Sequence, residues 1–105
     1  MKLITAIIKS FKIDDVQNSL NEIGIFHFNV IEIKSYGRSR HINESLDMHS
    51  RFKIEIAVKN DMVELILETI RLAAMTSKNG DGKIFIVDLE NIIRIRTGET
   101  GEDIL

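Results

Sequence analysis

Phe52-Lys53-Ile54-Glu55-Ile56-Ala57-Val58 alternates apolar and polar residues with a period of two. Only an extended strand puts every second side chain on one face, so the run predicts a β-strand buried on one side. Downstream the period changes. Val63, Ile66, Ile70 and Ala73 recur at helical spacing, and Asp61 with Glu64 has the spacing of an N-terminal capping pair. Ile84 to Glu90 reads as a further strand entered from a glycine-bearing turn. Ile93 to Arg96 reads as a last short strand, with Arg94 and Arg96 on one face. Upstream, residues 37–51 show no usable period and read as a long polar loop. Before the loop, Phe26 to Tyr36 mixes aromatic and β-branched residues like a strand, with His27 inside it. Ile13, Val16, Leu20 and Ile23 form an amphipathic helix closed by Gly24, and Leu3 to Lys9 is an Ile-rich strand.

The order is β-α-β, long loop, β-α-β and a short β-tail, with a faint echo between the halves. This predicts an α+β fold, a ferredoxin-like βαββαβ sandwich with the long loop between strands 2 and 3. A chain of 105 residues makes one domain, 1–105. Two helices cannot cover both faces of the sheet, whose second face also carries Ile and Phe, so another chain is expected there. Lys+Arg 14 against Asp+Glu 16 gives a net charge of −2, so no basic excess points to nucleic acid. The absence of cysteine excludes disulfides, thiolate metal sites and thiol catalysis. No apolar run approaches the roughly 20 residues of a membrane span, and a cytoplasmic location is expected.

Thr76-Ser77-Lys78-Asn79-Gly80-Asp81-Gly82-Lys83 can be an ordinary turn, or a cradle whose backbone amides converge on an anion while Lys78 and Lys83 add charge. It lacks Walker spacing. Arg94 and Arg96 can hold polyphosphate bidentately or face solvent. Together these segments place four cations within a short stretch of an acidic chain. Catalysis finds no support. No G-x-S-x-G elbow accompanies any serine, and Asp14-Asp15 suits the dipole at a helix start. His41 and His49 lack metal-ligand spacing.

Several segments resemble one family, the PII nitrogen-regulatory signal-transduction proteins. They are Ile4-Thr5-Ala6-Ile7-Ile8-Lys9, Phe11-Lys12-Ile13-Asp14-Asp15-Val16, Glu32-Ile33-Lys34-Ser35-Tyr36-Gly37-Arg38, Lys53-Ile54-Glu55-Ile56-Ala57-Val58, Gly80-Asp81-Gly82-Lys83-Ile84-Phe85 and Ile93-Arg94-Ile95-Arg96-Thr97-Gly98-Glu99. The resemblance implies a homotrimer binding ATP or ADP in clefts between subunits. Thr76, Gly80, Asp81, Gly82 and Lys83 would line the phosphate and ribose side, Arg94 and Arg96 would reach the phosphates, and Gly37 and Arg38 would approach from the loop entrance. It also implies a regulator rather than an enzyme. The target would be an ammonium transporter or a nitrogen-assimilation enzyme, met through Arg40, His41, Glu44, Asp47 and His49 of the loop. A membrane would be reached only indirectly, through such a transporter.

The loop departs from the family pattern. It is shorter and lacks the Tyr-Arg-Gly tripeptide whose tyrosine is uridylylated in many bacterial forms, so uridylylation is not expected. Ser39 and Arg51 stand where the family has the glutamine and lysine used when Mg-ATP and 2-oxoglutarate bind together. These two positions are possible effector contacts, and they leave Mg and 2-oxoglutarate open. Ser77 replaces a usual glycine. The alternative is a degenerate paralogue that trimerises as a binding or scaffold subunit without nucleotide switching.

Overall fold

The computed structural model describes residues 1–38 and 46–105. Its elements are β1 (Lys2–Lys9), α1 (Ile13–Glu22), β2 (Asn29–Arg38), β3 (Leu46–Val58), α2 (Val63–Ala74) and β4 (Gly82–Asp88). A short 3₁₀ turn precedes each helix, at Ser10–Lys12 and Asn60–Met62. The echo between the halves is therefore physical: strand, 3₁₀ turn and helix follow one another twice.

Among the described residues the four strands form one sheet in the order β2-β3-β1-β4, antiparallel at every seam. That is the ferredoxin-like order. Period two on the strands and helical period on α1 and α2 send the apolar residues to one layer. Ile4, Ala6 and Ile8 of β1 and Ile54, Ile56 and Val58 of β3 pack under Val16, Leu20, Ile66, Ile70 and Ala74. No polar or charged residue is buried among them. Gly24 ends the first helical segment at φ +85°, with its amide on the Asn21 carbonyl, as a left-handed helix terminus requires.

The other face of the sheet has no helix. Its register sets Ile7 between Lys53 and Lys83, Thr5 between Glu55 and Phe85, and Leu3 between Ala57 and Val87. On β4 the helix-side Ile86 and the opposite-side Phe85 and Val87 are all about half exposed, so this edge strand is bare on both sides.

Several expectations are corrected. The described parts of the loop over 37–51 form a ladder: β2 runs through Arg38, and β3 begins at Leu46 and pairs Arg51 with Ile33, His49 with Ser35 and Asp47 with Gly37. Alternating hydrophobicity reports burial, and these rungs extend beyond the helices, so an extended ribbon there carries no period. The second strand starts at Asn29, which leaves His27 exposed in the connection before it. The Asp61–Glu64 capping pair does not form; the 3₁₀ turn occupies that place and the cap position, Met62, makes no side-chain bond. The strand read over Ile84 to Glu90 starts and ends earlier, at Gly82 and Asp88. No strand forms at 93–96. Ile93 makes a single bridge to Thr100 around a tight turn, because the segment folds back on itself at Gly98, φ +73°.

Candidate functional site

The end of α2 and the start of β4 are joined by a turn that folds around one carboxylate. The Thr76 and Ser77 amides donate to Asp81 Oδ2 at 2.7 and 3.1 Å. The Thr76 hydroxyl donates to Asp81 Oδ1. Lys9 Nζ, from the end of β1, lies 3.1 Å from Asp81 Oδ1 and 3.2 Å from Thr76 Oγ1. The Thr76 hydroxyl, then its amide, then Lys9 hold the Asp81 carboxyl far below the usual carboxylate range, against a weaker opposing effect of burial.

Two glycines let this turn lie against the sheet. At Gly82, φ +113°, an added Cβ would stand 1.8 Å from the Ile7 carbonyl oxygen, so no other residue fits without moving a strand. At Gly80, φ +86°, it would stand 3.3 Å from Arg51 Nη2 and 3.8 Å from Lys9 Cε. Lys9 and Arg51 are register partners on β1 and β3, and Lys83 pairs with Ile7. Three cations thus collect around one glycine-bearing turn at one end of the sheet.

Two clefts flank it. One, of about 320 Å³, has apolar walls from Ile7, Ile8, Ile70, Ala74, Met75 and Ile84, with Asp81, Gly82, Lys83 and Arg71 also lining it. The other, of about 430 Å³, lies at the base of the β2–β3 ribbon among Lys9, Ser10, Phe11, Met48, His49, Ser50, Arg51 and Asn79. An apolar wall beside glycine backbone and fixed positive charge suits a ligand with a flat apolar part and an anionic tail.

The structure brings Thr76, Gly80, Asp81, Gly82 and Lys83 together, with Arg51 beside them. It adds Lys9, which the sequence reading had not singled out. A lysine closing the outward-facing series Leu3, Thr5, Ile7 on a strand was a weak signal, and only the packing of a distant turn gives it meaning. One expectation for the turn changes: the Thr76 and Ser77 amides converge on an anion, but it is Asp81. Gly37 pairs with Asp47 four rungs outward from Arg51, and Arg38 one rung further. Ser39, Arg40, His41 and Glu44 lie outside the described residues.

Arg94 and Arg96 do not share a strand face. The Arg94 amide bonds the Glu99 carbonyl at 2.8 Å, its Nη1 donates to Glu99 Oε1 at 3.1 Å and its Nη2 to the Ile104 carbonyl at 3.4 Å. Arg96 is exposed in the turn, beside the fully exposed Ile95. This arm leaves the sheet where Leu89 bonds Met1, at the opposite end of β4 from Gly82. Seven residues of strand separate the two, a span of about 20 Å. Among the described residues no three His, Asp or Glu side chains are grouped as metal ligands, and no helix is long and apolar enough to cross a membrane.

Residues 1–99 match the family model for nitrogen regulatory protein P-II. The nitrogen regulatory protein P-II of Rhodobacter capsulatus is 46% identical over 110 residues, covering 98% of both chains. GlnK of Escherichia coli K12 is 41% identical over 109 residues, covering 97% of each. Alignments longer than this 105-residue chain carry gaps on its side, which agrees with the shortened loop. The crystal structure of Arabidopsis thaliana PII bound to citrate superposes with a TM-score of 0.83 at 35% identity, covering 97% of this chain and 89% of that one.

Proposed function

The chain belongs to the P-II nitrogen regulatory family, and on that premise we propose that it is a homotrimeric sensor of ATP and ADP. Its general role is that of a regulatory protein rather than an enzyme. In the proposed reading each 1–105 domain supplies half of a nucleotide site. The turn from Thr76 to Lys83 forms one wall, with Gly80 and Gly82 admitting the phosphates to the backbone and Lys83 supplying charge. Arg94 and Arg96 of a neighbouring copy form the other wall.

The observation that carries this reading is the position of the arginine arm. It starts at the far end of β4 from the turn that it would have to meet, while both faces of β4 and the tip residue Ile95 are exposed. A head-to-tail contact between copies would bring the two ends together and cover those surfaces, and with a threefold rotation such a contact closes into a trimeric ring.

ATP and ADP differ by one phosphate, so only contacts to that phosphate can bias the protein between two states. Lys83, Arg94 and Arg96 are the candidates. Arg51 sits against Gly80 and also on a rung of the β2–β3 ribbon, so a ligand held there acts on the base of that ribbon. The ribbon leads out through Gly37 and Arg38, and the whole molecule is elongated, with extents of 54 × 24 × 20 Å and a radius of gyration of 15.6 Å, against about 13 Å for a compact chain of this length. The loop over 37–51, with Arg51 at its base, would read the target, an ammonium transporter or a nitrogen-assimilation enzyme. Arg51 retains a charge suited to a carboxylate, whereas Ser39 in place of glutamine weakens the case for Mg and 2-oxoglutarate.

Titration calorimetry of ATP, ADP and 2-oxoglutarate with Mg-ATP into the purified protein tests this. Saturable heat with both nucleotides is expected. No nucleotide heat from an intact trimer replaces the sensor with the scaffold paralogue, and tight 2-oxoglutarate binding overturns the argument from Ser39.

A further inference from the structure

The function proposed above gives no role to Lys9, an enclosed charged side chain at the turn itself. Lys9 has a side chain only 17% exposed, with Asp81 at 24% beside it. The hydrogen bonds that shape the Thr76–Asp81 turn are otherwise local. Thr76, Ser77 and Lys78 bond within five residues, onto Asp81 or the Thr76 hydroxyl. Those of Lys9 reach across 67 and 72 positions of the chain, from the sheet to both side chains at the centre of the turn. The turn also holds Ser77 at φ +62°, a left-handed conformation costly for a residue with a Cβ, so it persists only where its surroundings fix it.

We propose that Lys9 is the positioning residue of the nucleotide turn: its ammonium ties the closed ring of Thr76 and Asp81 to β1 and so sets where Gly80, Gly82 and Lys83 stand. Without that tie the ring keeps its internal bonds but loses its fixed place against the sheet. Lys9 acts through Asp81 and Thr76, on a part of the site common to ATP and ADP. The inference rests on the nucleotide reading for its effect on affinity, but not for its effect on the turn.

Lys9→Met keeps the apolar stem and removes the charge. Two measurements are made on the assembled protein, calorimetry with ATP and ADP, and amide exchange of the free protein by NMR. Both affinities are expected to fall by about tenfold and by equal factors, as for a lost charged hydrogen bond. Exchange is expected to quicken over residues 76–82 and to stay unchanged in β1, β3 and α2. Lys9→Met combined with Asp81→Asn should weaken binding no further than the more damaging single change, because both break one tie.

Unchanged affinity overturns the proposal. So does a loss confined to ATP, which would put Lys9 on the terminal phosphate, and so does faster exchange throughout the core, which would make it a general structural residue. If the wild type binds neither nucleotide, the sensor reading fails by itself. The exchange pattern at 76–82 then still decides whether Lys9 holds the turn.

Discussion

Asp81 shows how one side chain can take over a role suggested for a ligand. Its carboxylate occupies the Thr76 and Ser77 amides at the start of the glycine-bearing turn, and a structure with those amides pointing outward would have looked the same in sequence. Thr76 and Asp81 were both visible as candidates, but not that they bond to each other. Because the folded state favours ionised Asp81, its stabilisation is complete above the unfolded carboxylate range, about pH 4, and is lost as pH falls from there toward its depressed folded value. Thermal melts should therefore show the wild type losing stability more steeply than Asp81→Asn between about pH 5 and pH 3. Parallel curves would show that the ring does not couple Asp81 to folding. The depressed Asp88, which bonds Lys2, and the depressed Glu68, which bonds Arg71, are present in both proteins and cancel in the comparison. Ser77 gives an independent check. Ser77→Gly relieves a left-handed Cβ and should raise stability by up to about 1 kcal/mol, after the entropy that glycine adds to the unfolded chain. Denaturant unfolding measures it, and a loss of stability would contradict the assigned backbone.

The elements divide by whether a core lies beside them. β1, β3, α1 and α2 were legible because the layer between them writes its period onto the sequence: Ile54, Ile56 and Val58 at every second position, Ile66 and Ile70 at helical spacing. The rungs over 37–38 and 46–51 have no such layer, and the same chemistry that makes them polar hid them as strands. Arg94 to Gly98 failed for the opposite reason. Alternating Ile and Arg imitated a strand, while the turn was decided by Gly98 and by the Arg94–Glu99 pair, five positions apart. Amide exchange separates the two descriptions of the ribbon. Its paired amides should be protected, less than those of β1, which lies between β3 and β4, but well above the level of an unpaired loop. Loop-like exchange across residues 33–38 would remove the outer ladder.

For the molecule as a whole, the bare faces of β4, the exposed Ile93 and Ile95 and the separation of the arginine arm's start from the glycine turn are what the proposed second copy of the chain would account for together. The uncovered sheet face was already apparent from apolar residues that two helices could not reach. The ends of β4 that would meet across the proposed seam were not, since that depends on register. The most direct test mixes two defective proteins. Lys83→Ala spoils the turn and keeps the arm; Arg94→Ala with Arg96→Ala spoils the arm and keeps the turn. Each alone should assemble and bind ATP poorly. Refolded together at equal amounts, they should regain ATP binding at about a quarter of the seams, where an intact turn faces an intact arm from its neighbour. If the mixture binds no more ATP than its separate components, both halves of the site belong to one chain and the account is wrong.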